Sequence, residues 1–552
     1  MGGDSRADEH LDAGRDALAR GAWQEAHDRL EQAVSLGAGA DALEELSWAA
    51  WWLEDVPGCL DARDRAYRSY REQDDLRSAA RMALWLGDDH ASFRGAHAVA
   101  DGWFARARRL LGEVAPCPEH GWLAVFDAHR ALRASDLAIA SQLAREAQEH
   151  GRQHGAIALE MFAVATEGVV RVEQGEIVEG LRCLDEAATA ALSGEYEQLA
   201  PAAWACCLVL STSEQLRDYD RAGQWCRQVA AFSERMDARF LRGVCRSHYG
   251  AVRAWQGEWD EAERELVGAL TSLGTEHPSW RADALTRLGE LRRRQGRFDD
   301  AEALFEQAGP LGLRGLAAVR LDLGRPAEAL ELLGRAQRHV GTIDGVAAAD
   351  VLEARVRALV ALEDHDVAAA TLTELRAVAE AAMTEALWAA VHRCEGALAA
   401  STGAPERACE HLEQAIDQLR RSGAQVEAAS VRTDLAEVLA DLGRPDAAGR
   451  EVRLALAGLK ETDAEVERSR ARSLLERLGS SDGARTDADP TLTSRQVEVL
   501  ALIARGRSDR QIAEQLVLSP HTVHRHVANI YARLGCSSRA EAVARATRAG
   551  LL

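Results

Sequence analysis

The chain of 552 residues almost lacks lysine: Lys460 is the single one, and the other 65 of its 66 Lys and Arg residues are arginine. The phosphate-binding motif G-x-x-x-x-G-K-[ST] requires a lysine and does not occur. A P-loop ATPase domain is therefore excluded, and enzymes that use a lysine base or a Schiff base are disfavoured. Neither a nucleophile elbow nor a metal-ligand spacing appears. The sequence predicts a protein that is not an enzyme and needs no cofactor or metal.

Aromatic residues make up 5% of the chain, and long apolar runs are missing. No stretch approaches the ~20 apolar residues that a membrane-spanning helix needs, and the first ten residues are polar. The ten cysteines are scattered without a C-x-x-C pair, which is typical of reduced, buried thiols. Alanine, leucine, glutamate and arginine dominate instead, so we expect an all-α, cytoplasmic protein.

Charge is distributed unevenly along the chain. The net charge is −22, yet residues 490–552 hold nine arginines against four acids, a net of +5, so the remainder carries −27. A basic end on an acidic body is typical of a protein that touches nucleic acid with one domain. The acidity of the body also keeps a large chain soluble.

One short pattern recurs before residue 480. It consists of a glycine or a substitute for it, often an aromatic residue or proline two positions later, and alanine five positions later. The clear copies begin at Gly21, Gly257, Gly296, Gly324 and Gly443, and the weaker ones at Asp55, Gly95, Ser135, Gly175, Arg217, Asp364 and Gly403. Successive copies are mostly 39 to 42 residues apart.

Each copy predicts a helical hairpin, about twelve in all. Glycine can end the first helix in a left-handed conformation, and a small alanine lets the second helix approach closely. Because one hairpin cannot bury its apolar face alone, the copies must stack into an α-solenoid. The pattern resembles tetratricopeptide (TPR) repeats, with a longer period. We predict a TPR-like solenoid over residues 1–479 that binds a protein, a peptide or a small-molecule effector.

The remaining residues predict a separate small domain. A polar, turn-rich segment favours a flexible linker over residues 480–490, and helix-start signals follow within residues 491–552. Three of them are capping boxes: Thr493-x-x-Gln496, Ser508-x-x-Gln511 and Ser538-x-x-Glu541. The fourth is Ser519 before Pro520. Together they predict four helices.

The third of these helices, residues 520–534, has two contrasting faces. At 100° per residue, an apolar stripe of four residues falls within a narrow arc and should face the domain core. The stripe is Val523, Val527, Ile530 and Leu534, and the opposite arc holds His521, Arg525, Ala528, Asn529 and Ala532. A small, basic face without acids is what a helix in the DNA major groove requires.

Residues 491–552 resemble the helix-turn-helix domain of LuxR-family transcriptional regulators. The resemblance implies base reading by His524, Arg525 and Ala528, to which the helical phase adds His521 and Asn529. It also implies phosphate contacts from Arg510, Gln511, Ser519 and Thr522, with Arg533 added by its charge and position. Three positions depart from the family pattern: His524 replaces a common lysine, Ala528 a longer polar residue and Asp509 an asparagine. The ATPase and receiver domains of some family members are not expected, because both need lysine.

The combined prediction is a DNA-binding transcriptional regulator controlled through its solenoid. Its partners would be double-stranded DNA, an unidentified effector and, as a candidate, RNA polymerase. The small face formed by Ala540, Val543 and Ala544 on the last helix either pairs two domains into a homodimer or belongs to the domain core. The alternative is an adaptor that binds proteins through the solenoid and DNA only secondarily.

Two further features have a structural and a functional interpretation. The tryptophans and cysteines between Trp204 and Trp259 form either buried core or a pocket, and helical spacing favours core. Cys117 and His120 make a lone C-x-x-H pair, which cannot supply the four ligands of a structural zinc site.

The helical phase separates base reading from phosphate anchoring. Because Arg525 points away from the apolar stripe, Arg525→Ala should cost about 1–3 kcal/mol on the preferred DNA site and relax specificity at one base position. Arg510→Ala should instead weaken binding to preferred and random DNA alike and lower the salt slope by about one. Titrating both variants against cognate and scrambled duplexes measures this. Equal losses for Arg525→Ala on both duplexes would mean that the helix is rotated differently.

Overall fold

The computed structural model describes residues 4–196, 198–340, 345–460, 462–481, 492–516, 518, 520–534, 536 and 539–548. These residues are almost entirely helical and contain no strand, which confirms the predicted all-α fold. None of the helices in these ranges combines the length and the apolar character needed to cross a membrane.

Twenty-five α-helices precede residue 482 in the described part of the chain. In chain order, α1 to α25 are Asp4–Ala19, Trp23–Ser35, Ala40–Trp52, Val56–Glu72, Leu76–Arg94, His97–Leu111, Pro118–Arg133, Leu137–His154, Ile157–Glu173, Ile177–Ser193, Leu199–Gln215, Tyr219–Arg235, Arg239–Gln256, Trp259–Leu273, Pro278–Arg294, Phe298–Gln307, Leu313–Asp322, Pro326–Val340, Ala349–Ala361, His365–Ala382, Glu385–Ser401, Pro405–Arg421, Gln425–Asp441, Pro445–Gly458 and Glu465–Ser481. Short 3₁₀ turns lie at Gly309–Gly312 and Gly345–Ala348.

The chain divides into two compact units. The first comprises Met1–Arg355 with Ala377–Thr384, and the second comprises Val356–Arg376 with Glu385–Leu552. Each unit contains helical hairpins of the repeat, and the second also contains the four C-terminal helices. Residues 480 and 481 of the predicted linker at 480–490 belong to α25, and residues 482–490 lie outside the described residues.

The turn inside each hairpin carries one residue with positive φ, as predicted from the repeat. Twelve such turns lie in the described ranges, at Gly21, Glu54, Gly95, Ser135, Gly175, Arg217, Gly257, Gly296, Gly324, Glu363, Gly403 and Gly443. The predicted repeat starts at Asp55 and Asp364 were therefore one residue late. Glutamate occupies the left-handed position there, so no glycine marks it in the sequence.

Five residues after each of these turns stands a small, buried side chain. These positions are Ala26, Cys59, Ala100, Ala140, Gly180, Ala222, Ala262, Ala301, Ala329, Ala368, Ala408 and Ala448. The helix pair α9–α10 is the tightest example, because a Cβ added at Gly180 would lie 2.7 Å from the carbonyl oxygen of Gly168. The small residue thus sets the distance at which the two helices of a hairpin pack.

In the first unit, Trp204 is half-buried and packs against the hydrophobic core. Its ring centroid is 5.8 Å from that of Trp85 and 5.5 Å from that of Phe162. Cys206 and Cys207 are buried beside it, and burial raises the pKa of Cys206 to about 12, so the thiol stays protonated. The structure therefore favours the core interpretation for Trp204. A polar cleft nearby is lined by Tyr219, Tyr249 and Arg253, among others.

Cys117 and His120 serve to begin α7. The His120 Nδ1 accepts from the Cys117 backbone N–H at 3.3 Å, and its Nε2 donates to the carbonyl oxygen of Leu111 at 3.2 Å. Among the residues that the structure describes, no third His, Cys, Asp or Glu lies close enough to Cys117 and His120 to form a group that could hold a metal ion.

The repeat geometry can be tested on α16, which carries one buried and one exposed alanine. Ala301 is fully buried at the close approach, whereas Ala303 is exposed on the same helix. Ala301→Leu should cost about 1–3 kcal/mol by overpacking, and Ala303→Leu should stay within about 0.5 kcal/mol. Hydrogen exchange of the backbone amides of α15 and α16 measures the local opening free energy. Equal protection in both variants would contradict the packing argument.

Candidate nucleic-acid interface

Four helices lie in the described part of the C-terminal segment: α26 (Ser494–Ala504), α27 (Asp509–Leu516), α28 (Pro520–Leu534) and α29 (Arg539–Arg548). The apolar stripe of α28 is buried, as predicted: Val523, Val527, Ile530 and Leu534 are each at most 9% exposed. They pack with residues from the other three helices, namely Val499, Leu500, Leu502, Ile503, Ile512, Ala513, Ala542 and Ala546. On α26, Val499 and Leu502 are buried, whereas Val497 is half-buried.

Two of the predicted capping boxes fix the starts of α26 and α27. The Gln496 N–H donates to the Thr493 hydroxyl at 3.1 Å, and the Thr493 N–H donates to the Gln496 side chain at 3.2 Å. Ser508 and Gln511 make the same exchange at 3.0 and 3.3 Å. The predicted caps Ser519 and Ser538 lie outside the described residues.

The structure leaves part of the predicted DNA face open. His524 and Ala528 are exposed on α28, and Asn529 is half-buried. At the start of α27 the side chain of Arg510 is 84% exposed, with its Nε 3.4 Å from a carboxylate oxygen of Glu514. Gln511 is exposed, and its amide oxygen accepts from the Ser508 backbone N–H in the capping box. Ser519 and the side chains of His521, Arg525 and Arg533 are not among the described residues, so their assigned roles stay predictions.

An acid lies beside His524, which is predicted to read bases. The carboxylate of Asp509 forms an ion pair with Arg539 and lies 3.6 Å from the His524 Nδ1. Arg539 also donates to the carbonyl oxygen of Arg507 at 2.7 Å, so it ties α29 to the turn before α27. The residue that departs from the family pattern therefore has a structural partner. Its negative charge lies beside a residue that is predicted to contact DNA.

The predicted pairing face of α29 is partly used by the domain itself. Val543 packs against the core, and Ala544 is exposed. The side chain of Ala540 lies outside the described residues. Ala542 and Ala546 are the alanines of α29 that are fully buried.

The other flank of α28 is covered by solenoid helix α22 of the same compact unit. Thr522 is 3% exposed, and its hydroxyl donates to the carboxylate of Asp417. The His526 Nε2 lies 3.8 Å from a carboxylate oxygen of Glu413. A small cleft at this contact is lined by Glu410, Glu413, Gln414, Arg495, Leu518, Thr522 and His526.

No pattern in the sequence predicted this contact. The predicted contact of Thr522 with DNA phosphate stays a prediction, and in this structure its hydroxyl donates to Asp417. The available signal was the recurrence of Glu410, Glu413 and Asp417 at helical spacing along α22. Acids at that spacing are common on solvated helix faces, so the pattern alone does not identify a docking surface.

Comparison with known proteins assigns both regions. The family described as bacterial regulatory proteins, luxR family, matches residues 490–546. Residues 490–546 are a luxR-family domain. The tetratricopeptide-repeat family matches residues 244–308, so the chain also carries TPR repeats. Neither match is to an enzyme family.

The similar proteins share the C-terminal region. "Probable transcriptional regulatory protein NarL" of Mycobacterium tuberculosis is 49% identical over 63 residues, which is 11% of this chain and 29% of that protein. "Transcriptional regulatory protein LiaR" of Bacillus subtilis is 33% identical over 98 residues, 18% of this chain and 46% of that protein. The chain thus spans less than half of either relative. The solved APC/C hetero-tetramer Cut9–Hcn1 aligns with 86% of this chain and 96% of its own at 14% identity, with a TM-score of 0.38.

Removing the charge of Asp509 should strengthen DNA binding. Asp509→Asn deletes a carboxylate beside His524, so we expect several-fold tighter binding of any duplex because phosphates are no longer repelled. Fluorescence anisotropy with a randomised duplex at two salt concentrations measures the effect. Glu541→Gln, which removes an acid paired with Arg545 on α29, is the matched control and should change affinity less. Unchanged or weaker binding by Asp509→Asn would show that its pairing with Arg539 matters more than the repulsion.

Proposed function

We propose that this protein is a DNA-binding transcriptional regulator whose recognition helix, α28, is held by the solenoid when DNA is absent. The luxR-family match of residues 490–546 supports DNA binding. His524 and Ala528, predicted to read bases, and Arg510, predicted to contact phosphate, are all exposed. The observation that carries the control mechanism is the buried hydrogen bond from Thr522 to Asp417.

DNA binding and docking on α22 exclude each other in this proposal. The Thr522 hydroxyl has one proton, and it cannot be donated to Asp417 and to a phosphate oxygen at once. The carboxylates of Asp417 and Glu413 would also lie beside the phosphates that approach the start of α28. Two anions at that distance repel each other, so the helix must leave α22 to enter the groove.

The proposed organisation follows the predicted boundaries: a solenoid sensor over residues 1–479, a linker over 480–490 and a DNA reader over 491–552. An effector that binds the solenoid differently in its docked and released forms would shift the balance between them. The protein or small molecule that does so is not specified by the residues. RNA polymerase and a second copy of the chain are further proposed partners.

The test is an Asp417→Ala substitution in the full chain. Loss of a hydrogen bond to a charged group costs about 1.5–3 kcal/mol, so release of α28 should raise the affinity for a randomised duplex by about tenfold or more. Anisotropy titration measures the affinity, and circular dichroism checks that the helices persist. Glu406→Ala removes an exposed acid from the first turn of the same helix. It is the matched control, because it changes net charge equally without touching α28.

The outcomes distinguish the proposals. If both variants gain affinity equally, the gain comes from net charge, and the docking model is wrong. If wild type and Asp417→Ala bind duplex DNA equally, Asp417 does not restrain α28. If neither binds DNA at any salt concentration, the adaptor function replaces the regulator.

A further inference from the structure

The hairpin α21–α22 brings together two histidines and a glutamate. His392 and Glu395 lie one turn apart on α21, and His411 faces them from α22. The His392 Nδ1 is 2.8 Å and the His411 Nδ1 is 3.0 Å from the same carboxylate oxygen, Oε2 of Glu395. These three atoms lie within 4.8 Å of one another, and this is the one such group of three ligand residues in the ranges that the structure describes.

The surroundings of the cluster disfavour the charged form of its two imidazoles. Burial, with His411 and Arg376 adding to it, lowers the pKa of His392 to about 4. Burial and then Arg407 lower the pKa of His411. Neutral imidazole is the form in which histidine binds metals.

The carboxylate of Glu395 is held in place from its other side. Glu395 is 8% exposed, and Arg376 of α20 forms an ion pair with its Oε1, which leaves Oε2 between the two imidazoles. An outer partner of this kind orients a ligating carboxylate. The Nδ1 of His411 is buried and makes no hydrogen bond, although Oε2 lies 3.0 Å away. The two atoms are close without being aligned for a hydrogen bond.

We propose that His392, Glu395 and His411 bind a divalent transition-metal cation of the zinc type. Two imidazole nitrogens and one carboxylate oxygen are a ligand set that Zn²⁺ accepts, with a fourth position left for water or another small ligand. The His-x-x-Glu spacing presents both side chains on one face of α21, and the hairpin partner supplies the third ligand. The sequence predicted no metal, and a two-residue motif plus a distant histidine gave no signal for this site.

This site is independent of the proposed DNA function, since the cation alone tests it. One of its ligands, His411, lies on α22, the helix that also carries Asp417 six residues further on. Failure of the metal site would leave the Asp417→Ala experiment untouched, and failure of DNA binding would leave the metal titration untouched.

The experiment is a titration of the metal-free full chain with Zn²⁺ by calorimetry, repeated with Co²⁺ for its absorption spectrum. We expect one ion per chain with no thiolate-to-cobalt charge-transfer band, because no cysteine is among the ligands. His411→Gln and His392→Gln should each weaken binding by more than the roughly 10–100-fold that loss of an outer partner costs. His411 is the better-exposed of the two, so His411→Gln should fold normally, which thermal unfolding without metal checks.

His154→Gln is the matched control. His150 and His154 stack on α8 with ring centroids 6.2 Å apart and offer a competing pair of imidazoles. Binding that survives in His154→Gln but is lost in His411→Gln supports the proposal. Binding that is unchanged in folded His411→Gln, a thiolate band with Co²⁺, or no uptake by the wild type would each overturn it.

Discussion

The close approach of two helices at one small residue per repeat is the constraint on which the rest of the solenoid depends. A side chain larger than alanine or cysteine at these positions would push the helices of a hairpin apart, and the apolar faces that stack one hairpin on the next would no longer meet. Ala408 fulfils this role in α22. The same packing therefore places His411, Glu413 and Asp417, which project from that helix. The residues of α22 to which roles are proposed thus depend for their positions on the packing of an alanine.

The negative charges around α28 come from neighbouring helices, because α28 itself contains no Asp or Glu. Asp417 and Glu413 stand on one flank, and Asp509 lies beside His524 near the other. A carboxylate and a phosphate oxygen accept hydrogen bonds from the same kinds of donor. Binding of DNA at this helix would thus replace one set of anionic acceptors with another.

Sequence patterns within one or two helices predicted the structural features that depend on neighbouring residues in the chain. The left-handed turns, the small residue five positions later and the buried stripe of α28 all follow from spacing within one or two helices. At Glu54 and Glu363 the repeat register was missed by one residue, since glutamate holds the left-handed turn without glycine's signal. The contact of Thr522 with Asp417 joins residues 105 positions apart in the chain. The cluster of His411 with His392 likewise depends on how two helices are phased, and no periodicity in one helix records that.

Solenoid helix α22 and reader helix α28 belong to one chain, and only residues 482–491 separate α25 from the start of the C-terminal domain. Two surfaces joined by a short tether meet at an effective concentration of the order of millimolar. In the proposed regulator, DNA would compete with a partner whose local concentration does not fall when the cell makes less of the protein. The occupancy of a promoter would depend on the concentration of C-terminal domains released from α22. The fraction of these domains that is released would be the same at every expression level. A substitution in α22 would then act as a constant multiplier on DNA affinity, set by geometry and independent of abundance.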